Sequence, residues 1–178
     1  MTWRVLSTPL RGVMLLEPTA ANDTRGSFTR LSCVATLAEH GITFVSRQTS
    51  LSRSVQRGTL RGLHFQSPPS AETKIVHCVA GAIFDVAVDL RSGSPTFQRA
   101  FTVELSAGNA RGLLIPRGCA HGMMTLTEYA AVLYQIDRDY DPQSGRGVRW
   151  NDPAIKIPWP MAPVEISDRD ATWPDYVP

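Results

Sequence analysis

The stretch IFDVAVDL, residues Ile83–Leu90, carries the alternation of side chains that decides the fold. Successive side chains of an extended chain point to opposite faces, so residues two apart share a face. One face is wholly apolar and carries Phe84, Val86, Val88 and Leu90. The other face is mixed and carries Ile83, Asp85, Ala87 and Asp89. This period of two predicts a β-strand.

Strand-like patterns recur along the chain and predict an all-β fold. They occur in FVSRQTSLS, TLRGLHFQ, TKIVHCVAG, FTVEL, GLLIP, HGMMTLT and AAVLYQID. Turn sequences such as SPPS, RSGSP, SAGNARG and DPQSG separate them. One short helix is predicted over VATLAEHG, with Gly41 as its stop. Eight or more strands without helical patterns between them predict an antiparallel barrel or jelly roll with a few short peripheral helices.

The length and the carboxyl-terminal composition predict one domain with a packed tail. The chain has 178 residues, which suits a single domain over residues 1–178. Six of the 13 prolines lie in the tail, about residues 151–178. Because Trp150, Trp159 and Trp173 lie at the edge of this tail or within it, we expect it to pack on the barrel rather than to be disordered.

Composition argues against several classes of protein. The formal net charge is +2 and no cluster of Lys or Arg is interleaved with aromatic residues, so a nucleic-acid partner is not expected. Cys33, Cys78 and Cys119 are widely spaced and form no Cys-x-x-Cys pair, which argues against a disulfide framework or a zinc site. The apolar run Val13–Leu16 is too short for a signal peptide or a membrane span. We therefore expect a cytoplasmic protein without a membrane partner.

The two segments that contain His64 and His121 are the candidates for a metal site. Jelly-roll metal sites often begin with His-x-His, but the residue two after His64 is Gln66. Glu72 lies beyond a double proline, which leaves two histidines without a strong third ligand. No metal is expected. Acid–base chemistry is the alternative, although a single histidine on a strand is more often structural.

A second signal comes from the order and spacing of several motifs. LRGLHFQ, FDVAVDLRSGSPTF and IPRGCAHG, followed by VLYQIDRDYDP and ISDRD, resemble the dTDP-4-dehydrorhamnose 3,5-epimerase family. The resemblance runs from about Gly12 to Pro174. It implies a cupin-type jelly roll, usually a homodimer, that epimerises a nucleotide-linked 4-keto-6-deoxy sugar without a metal or organic cofactor.

The resemblance also implies four catalytic residues. A proton beside a ketone can be removed only if the enolate is stabilised, so the reaction needs a base, a cation near the C4 oxygen and an acid on the opposite face. By resemblance His64 is the base, Asp170 pairs with it, Lys74 stabilises the enolate and Tyr134 is the acid.

Each of these residues also has a structural alternative. Asp170 and Ser167 have the spacing of a capping box, although that motif normally has Glu or Gln in place of the aspartate. Tyr134 could be a core aromatic whose hydroxyl meets water, and Lys74 could be an ordinary solvated lysine. Asp85, which matches a family position near the site, could equally make a buried structural hydrogen bond.

The resemblance implies eight substrate contacts, which are Arg25, Phe28, Gln48, Ser50, Arg61, His121, Tyr140 and Arg169. The arginines suit a diphosphate, and Tyr140 suits stacking on a thymine ring. Arg61 and His64 differ by an odd number of residues and would point to opposite faces of a regular strand. Both reach one ligand only through a bulge, for example at Gly62, or by a contact between subunits.

Several residues depart from the family pattern. Ser50 stands where many members have Asn, Arg169 where Lys is common, and His77 where Arg is frequent. None of these removes a proton-transfer group. The expected reaction converts dTDP-4-dehydro-6-deoxy-D-glucose to dTDP-4-dehydro-L-rhamnose by epimerisation at C3 and C5. The alternatives are epimerisation at C3 or C5 alone, as in antibiotic-sugar pathways, and a non-catalytic cupin that binds a sugar nucleotide.

Overall fold

The computed structural model describes residues 3–177, and it confirms the predicted all-β class. The first strands are β1 (Trp3–Ser7), β2 (Met14–Pro18), β3 (Ala21–Asp23), β4 (Gly26–Phe28), β5 (Gln48–Ser54), β6 (Thr59–Gln66) and β7 (Lys74–Ala80). The others are β8 (Ala82–Asp89), β9 (Ala100–Ser106), β10 (Gly112–Ile115), β11 (Cys119–Thr125), β12 (Ala130–Ile136), β13 (Gly145–Gly147) and β14 (Glu165–Ile166). The helices are α1 (Val34–Glu39) and α2 (Asp168–Ala171). Met1, Thr2 and Pro178 of the predicted domain lie outside the described residues.

Two sheets form a cupin-type jelly-roll barrel. The first has the strand order β1-β2-β10-β7-β12-β5, and the second has the order β13-β6-β11-β8-β9. These neighbours pair antiparallel, whereas β14 pairs with β6 in parallel. The strands β3 and β4 form a separate hairpin. Every strand predicted from the sequence is present, while β1 to β4, β13 and β14 were not assigned from it.

The barrel interior lies between the two sheets and uses the mixed face of β8. Ile83 and Ala87 pack there with Met123 of the second sheet and with Val76 and Val132 of the first. Strand alternation places Asp85 and Asp89 on the same inward face. The barrel therefore encloses carboxylates as well as apolar side chains.

The wholly apolar face of β8 points away from the barrel interior and is covered by the carboxyl-terminal tail. Val86 and Val88 pack with Ile155 and Trp159. The Tyr176 hydroxyl donates to the carbonyl of Leu90 at 3.0 Å. A strand with apolar side chains on both faces is thus buried on both sides, which fixes the tail against the second sheet.

A third apolar cluster covers the outer face of the first sheet. Leu37 of α1 packs there with Trp3, Phe44 and Ile75. The helix ends at Glu39, two residues before the predicted stop Gly41, whose φ of 72° suits a residue without a Cβ. The amide of Gly41 donates to the carbonyl of Ala38, and the amide of Ile42 donates to the carbonyl of Leu37. These two carbonyls of the last helical turn therefore have hydrogen-bond partners.

Candidate active site

A β-bulge in β6 gives Arg61 and His64 a common face. His121 of β11 pairs with His64, whereas Met123 pairs with Arg61, so β6 contains one extra residue between these pairs. Gly62 lies in this bulge with a φ of 122°. A Cβ on Gly62 would lie 2.6 Å from the Cα of Gly122, so only glycine fits. The bulge resolves the odd spacing of Arg61 and His64 in the sequence.

His64 and Asp170 form a close pair at this bulge. The Nε2 of His64 lies 2.6 Å from Oδ1 of Asp170. The His64 side chain is 44% exposed, whereas that of Asp170 is 7% exposed. The buried carboxylate therefore orients an imidazole that solvent and substrate can reach. Because Nε2 of His64 faces Asp170, Nδ1 of His64 is the nitrogen left for proton transfer.

The Asp170 carboxylate is held in its ionised form by several donors. Gly62 donates its backbone N–H to Oδ2 at 3.1 Å, and Trp173 donates its indole N–H to Oδ1 at 3.2 Å. Burial raises the pKa of Asp170, but the hydrogen bond and charge of His64, together with these donors, outweigh it and hold the pKa below its ordinary value. An ionised Asp170 stabilises a protonated His64.

Asp170 also occupies the position suggested by the capping alternative. Ser167 caps α2, since its hydroxyl accepts the backbone N–H of Asp170 at 3.2 Å. The Asp170 side chain is turned towards β6 and His64 and is not used in a reciprocal cap. The backbone and the carboxylate of this residue thus serve different purposes.

Trp173 closes one side of the His64–Asp170 pair. Its ring lies edge-on to His64 with 6.5 Å between ring centroids. Gly147 of β13 pairs with His64, and a Cβ there would lie 2.2 Å from the Trp173 ring. The absence of a side chain at Gly147 therefore lets the tail approach the histidine.

Tyr134 and His121 lie on the inward face, on opposite sheets. Their rings meet edge-on with 5.7 Å between centroids. His121 is held from the other side by Asp85, with 2.7 Å between Nε2 and Oδ1. Burial, followed by the charge of Asp85, raises the pKa of Tyr134. His121 thus contacts Tyr134 and pairs across the strands with His64.

Lys74 points inward from the start of β7, beside the strand that carries Tyr134. Lys74 pairs with Ile136 and Val76 pairs with Tyr134, so the side chains of Lys74 and Tyr134 are near neighbours on one face. The Nζ of Lys74 lies 2.9 Å from Oε1 of Glu72, and both side chains are 8% exposed. Lys74 is therefore a buried, paired cation, not a solvated surface lysine.

A cavity of about 200 Å³ opens beside His64. Its walls contain three of the predicted substrate contacts, Gln48, Tyr140 and Arg169. Arg169 also lies over the Trp173 ring at 5.0 Å from its centroid. Ser50 lies outside this lining, although it pairs with Tyr134 across β5 and β12.

Besides Ser50 and His121, three predicted contacts lie outside the lining of this cavity. Arg61 lines an adjacent pocket that also contains Asp170, and its side chain donates to Ser54 at 3.3 Å. Arg25 and Phe28 lie on the β3–β4 hairpin, where Arg25 pairs with Asp23 at 2.6 Å. This hairpin lies outside the cavity beside His64.

The cavity also contains residues that sequence reasoning did not assign to substrate. They are Phe65, Gln66, Glu72, Ile136, Gly145 and Arg146. The spacing of Glu72 and Lys74 is a usable signal, because residues two apart in an extended segment share a face. Arg146 gives no such signal, since its position depends on the pairing of β13 with β6.

The described residues contain neither a metal-binding cluster nor a membrane-spanning helix. Among residues 3–177 no three His, Cys, Asp or Glu side chains are grouped so as to hold a metal ion. The same residues include no helix long and apolar enough to cross a membrane.

Comparisons with known proteins identify the family. The model of the dTDP-4-dehydrorhamnose 3,5-epimerase family matches residues 7–177. The dTDP-4-dehydrorhamnose 3,5-epimerase of Salmonella typhimurium is 44% identical over 174 residues, which cover 96% of this chain and 93% of the relative.

Solved structures agree with this match. The structure of the Bacillus anthracis dTDP-4-dehydrorhamnose 3,5-epimerase with TDP and PPi bound has a TM-score of 0.96 and 42% identity, covering 98% of this chain and 100% of that one. ChmJ, a 3'-monoepimerase from Streptomyces bikiniensis solved with dTDP-quinovose, has a TM-score of 0.89 and 31% identity, covering 96% of this chain and 86% of that one. The chain belongs to the dTDP-4-dehydrorhamnose 3,5-epimerase family of isomerases.

Proposed function

We propose that this protein epimerises dTDP-4-dehydro-6-deoxy-D-glucose at C3 and C5 to give dTDP-4-dehydro-L-rhamnose. The observation that carries the proposal is the His64–Asp170 pair, in which a buried carboxylate orients an accessible imidazole at 2.6 Å. The pair lies beside a cavity with polar and aromatic walls. A module that only binds sugar nucleotides has no need of such a base.

His64 removes the proton next to the ketone. The C–H bond breaks, its proton moves to the imidazole, and its electron pair forms the carbon–carbon double bond of an enolate. The former carbonyl electron pair moves to the C4 oxygen. Asp170 stabilises the resulting imidazolium, since its carboxylate lies against the other ring nitrogen.

Lys74 stabilises the enolate oxygen. Its ammonium group is buried at the inner wall of the barrel, where a charge acts more strongly than in water. It donates a hydrogen bond to the C4 oxygen as negative charge develops there. The barrier to proton removal falls because this charge is met by a fixed donor.

Tyr134 returns a proton to the opposite face of the carbon. Its raised pKa keeps the phenol protonated at neutral pH, as an acid must be. The O–H bond breaks, a C–H bond forms, and the enolate returns to the ketone. Solvent then restores the proton of Tyr134 and takes the proton of His64, so each inversion exchanges the substrate proton for one from water.

The cavity mouth suits the nucleotide part of the substrate. Tyr140 is 59% exposed and offers a ring for base stacking. Arg146 and Arg169 line the same mouth and supply guanidinium groups, which bind phosphate oxygens well. The wall thus combines an aromatic platform with two cations.

A second copy of the chain completes the site in this proposal. The predicted contacts Arg25 and Phe28 lie on a hairpin outside their own cavity, and Phe28 is 63% exposed. In a homodimer the hairpin of one protomer can reach the cavity of its partner. We further infer that the chain is a single domain, because its tail packs on β8. We also infer that the protein acts in the cytoplasm.

The test is epimerisation in deuterated water followed by NMR of the sugar. The protein is incubated with dTDP-4-dehydro-6-deoxy-D-glucose, and deuterium is measured at C3 and C5. Incorporation at both carbons with formation of the L-rhamno product supports the proposal. An unexchanged substrate would refute it.

Epimerisation at one carbon is the second candidate. It is favoured by the 31% identity to ChmJ, a 3'-monoepimerase, and by the departure at Ser50, which pairs with Tyr134. The same spectra separate the two reactions. Deuterium at C3 alone, or at C5 alone, would identify a single-site enzyme.

A further inference from the structure

The carboxylate of Glu72 has no role in the proton transfers described above, although it lines the cavity beside His64. It contacts the ammonium of Lys74 at 2.9 Å, and the two side chains are equally buried. A carboxylate at this depth is costly unless it is paired. Its position therefore needs an explanation tied to Lys74.

The surroundings of Lys74 supply no other anion at bonding distance. On either side of Lys74 the neighbouring strands place Ile115 and Ile136, which are apolar. The Cys119 thiol is close enough to feel the charge of Lys74, but burial raises its pKa to about 12, so it is neutral at working pH. Within residues 3–177, the ion pair of Lys74 is the one with Glu72.

The segment that joins Glu72 to Lys74 is fixed from outside. The backbone N–H of Thr73 donates to Oδ1 of Asp137 at 2.8 Å, and the N–H of Asp137 donates to the carbonyl of Thr73 at 3.1 Å. Arg117 donates to Oδ2 of Asp137 at 2.8 Å, so this second carboxylate is already neutralised. The carboxylate of Glu72 is thereby left for Lys74.

We propose that Glu72 is the positioning residue of Lys74, which keeps the ammonium charged and fixed at the inner wall of the barrel before substrate binds. The inference rests on the proposed role of Lys74 at the enolate oxygen. A buried ammonium without an anion loses its proton readily, and a neutral amine stabilises an enolate poorly. In the reaction Lys74 is shared between Glu72 and the C4 oxygen, and no proton needs to pass to Glu72.

The composition of the chain allows a direct test, because Lys74 and Lys156 are its two lysines. Protein labelled with ¹³C and ¹⁵N in lysine gives two side-chain signals, which the Lys156→Arg variant assigns. In Glu72→Gln the Lys74 signal should titrate at a pH about one unit or more below that of the unmodified protein, because the variant lacks the nearby negative charge that favours the ammonium form. The exposed Lys156 serves as an internal reference.

Two matched variants complete the experiment. Glu104→Gln removes an exposed carboxylate and should leave the Lys74 signal unchanged. Glu72→Asp keeps the charge with a shorter reach, and its Lys74 signal should titrate between those of Glu72→Gln and the unmodified protein. If Glu72→Gln does not fold, the same comparison with Glu72→Asp decides. Unchanged titration of Lys74 in the folded Glu72 variants overturns the proposal.

Deuterium exchange connects the pair to catalysis. The alkaline limb of the exchange rate should move to lower pH in Glu72→Gln by the same amount as the Lys74 signal. A uniform loss of rate at every pH would indicate a structural role and contradict the assignment. If the unmodified protein exchanges no deuterium, the proposed epimerisation fails, while the lysine titration still decides the role of Glu72.

Discussion

His77 and Asp170 are both buried ionisable residues, but their surroundings favour opposite forms. Asp170 receives hydrogen bonds from His64, Gly62 and Trp173, which hold it ionised. His77 is 1% exposed, and neither ring nitrogen has a hydrogen-bond partner among residues 3–177. Burial lowers the pKa of His77 to about 4, so it is neutral in the folded protein. The partners of a buried group, more than its depth, decide its charge.

His77 is expected to make the protein acid-sensitive. A folded-state pKa of about 4 lies below the ordinary value of 6.5, so its stabilising contribution is complete above pH 6.5 and is lost as the pH falls towards 4. Between about pH 7.5 and pH 5 the loss attributable to His77 is about 2 kcal/mol. Urea unfolding of the unmodified protein and of His77→Leu at both pH values measures it. Equal losses in the two proteins would contradict the assignment.

The role of His64 shows what sequence can and cannot supply at the residue scale. The strand alone left His64 open to a structural reading, because its partner Asp170 lies 106 residues away in sequence. The motif resemblance supplied both residues, and the structure places them 2.6 Å apart. The sequence offers Glu72 only as a metal ligand at first sight, although its spacing of two from Lys74 indicates the shared face on which the two side chains meet.

At the scale of elements, the turn between β8 and β9 is organised around Asp89. Its side chain accepts hydrogen bonds from Arg91 at 2.7 Å, Ser94 at 2.5 Å and Thr96 at 2.6 Å. Burial raises the pKa of Asp89, but these donors outweigh it and leave the pKa well below its usual range. The motif DLRSGSPT is thus a structural turn.

Replacement of Asp89 by Asn should destabilise this turn by about 3 kcal/mol, because it breaks a buried ion pair and its hydrogen bonds. Urea unfolding at neutral pH measures the change. The control is Asp23→Asn, which breaks the exposed pair with Arg25 and should leave stability unchanged. Equal stability of Asp89→Asn and the unmodified protein would show that the turn does not depend on this charge.

Strand positions were predictable from alternation, but the orientation of the strands was not. The segment Ile83–Leu90 has a wholly apolar face, and this face lies under the tail while Asp85 faces the barrel interior. Alternation cannot identify the covering element, since Ile155 and Trp159 are distant in sequence. Likewise, the sequence leaves a bulge at Gly62 as one of two options, and the register of β6 against β11 shows that the bulge is present.

At the scale of the whole molecule, the predicted site residues lie in two separate places, the barrel and the β3–β4 hairpin. The proposed proton-transfer residues lie within the barrel, whereas Arg25 and Phe28 lie on the hairpin, outside the cavity beside His64. In the proposed homodimer a second, identical copy would supply these contacts, because a two-fold axis lets the two protomers exchange their hairpins. The resemblance predicted these contacts but not the protomer that supplies them.

Mixed dimers test this arrangement. His64→Ala and Arg25→Gln should each be impaired alone, because each lacks one part of every site. Co-expressed in equal amounts, they should form dimers in which one site is intact, which restores about a quarter of the normal rate. Epimerisation by the co-purified mixture measures it, and either variant mixed with itself is the control. A mixture no more active than the better single variant would place both residues in the same protomer's site.

Removal of the substrate proton by His64 is the decisive step of the proposed reaction, and solvent exchange measures that step directly. His64→Ala and Tyr134→Phe are incubated with dTDP-4-dehydro-6-deoxy-D-glucose in deuterated water, and deuterium at C3 and C5 is followed by NMR beside the unmodified protein. We predict that His64→Ala loses exchange at both carbons, about 100-fold or more. Tyr134→Phe should still remove protons while forming little inverted product. Full deuterium incorporation by a folded His64→Ala protein would contradict the account.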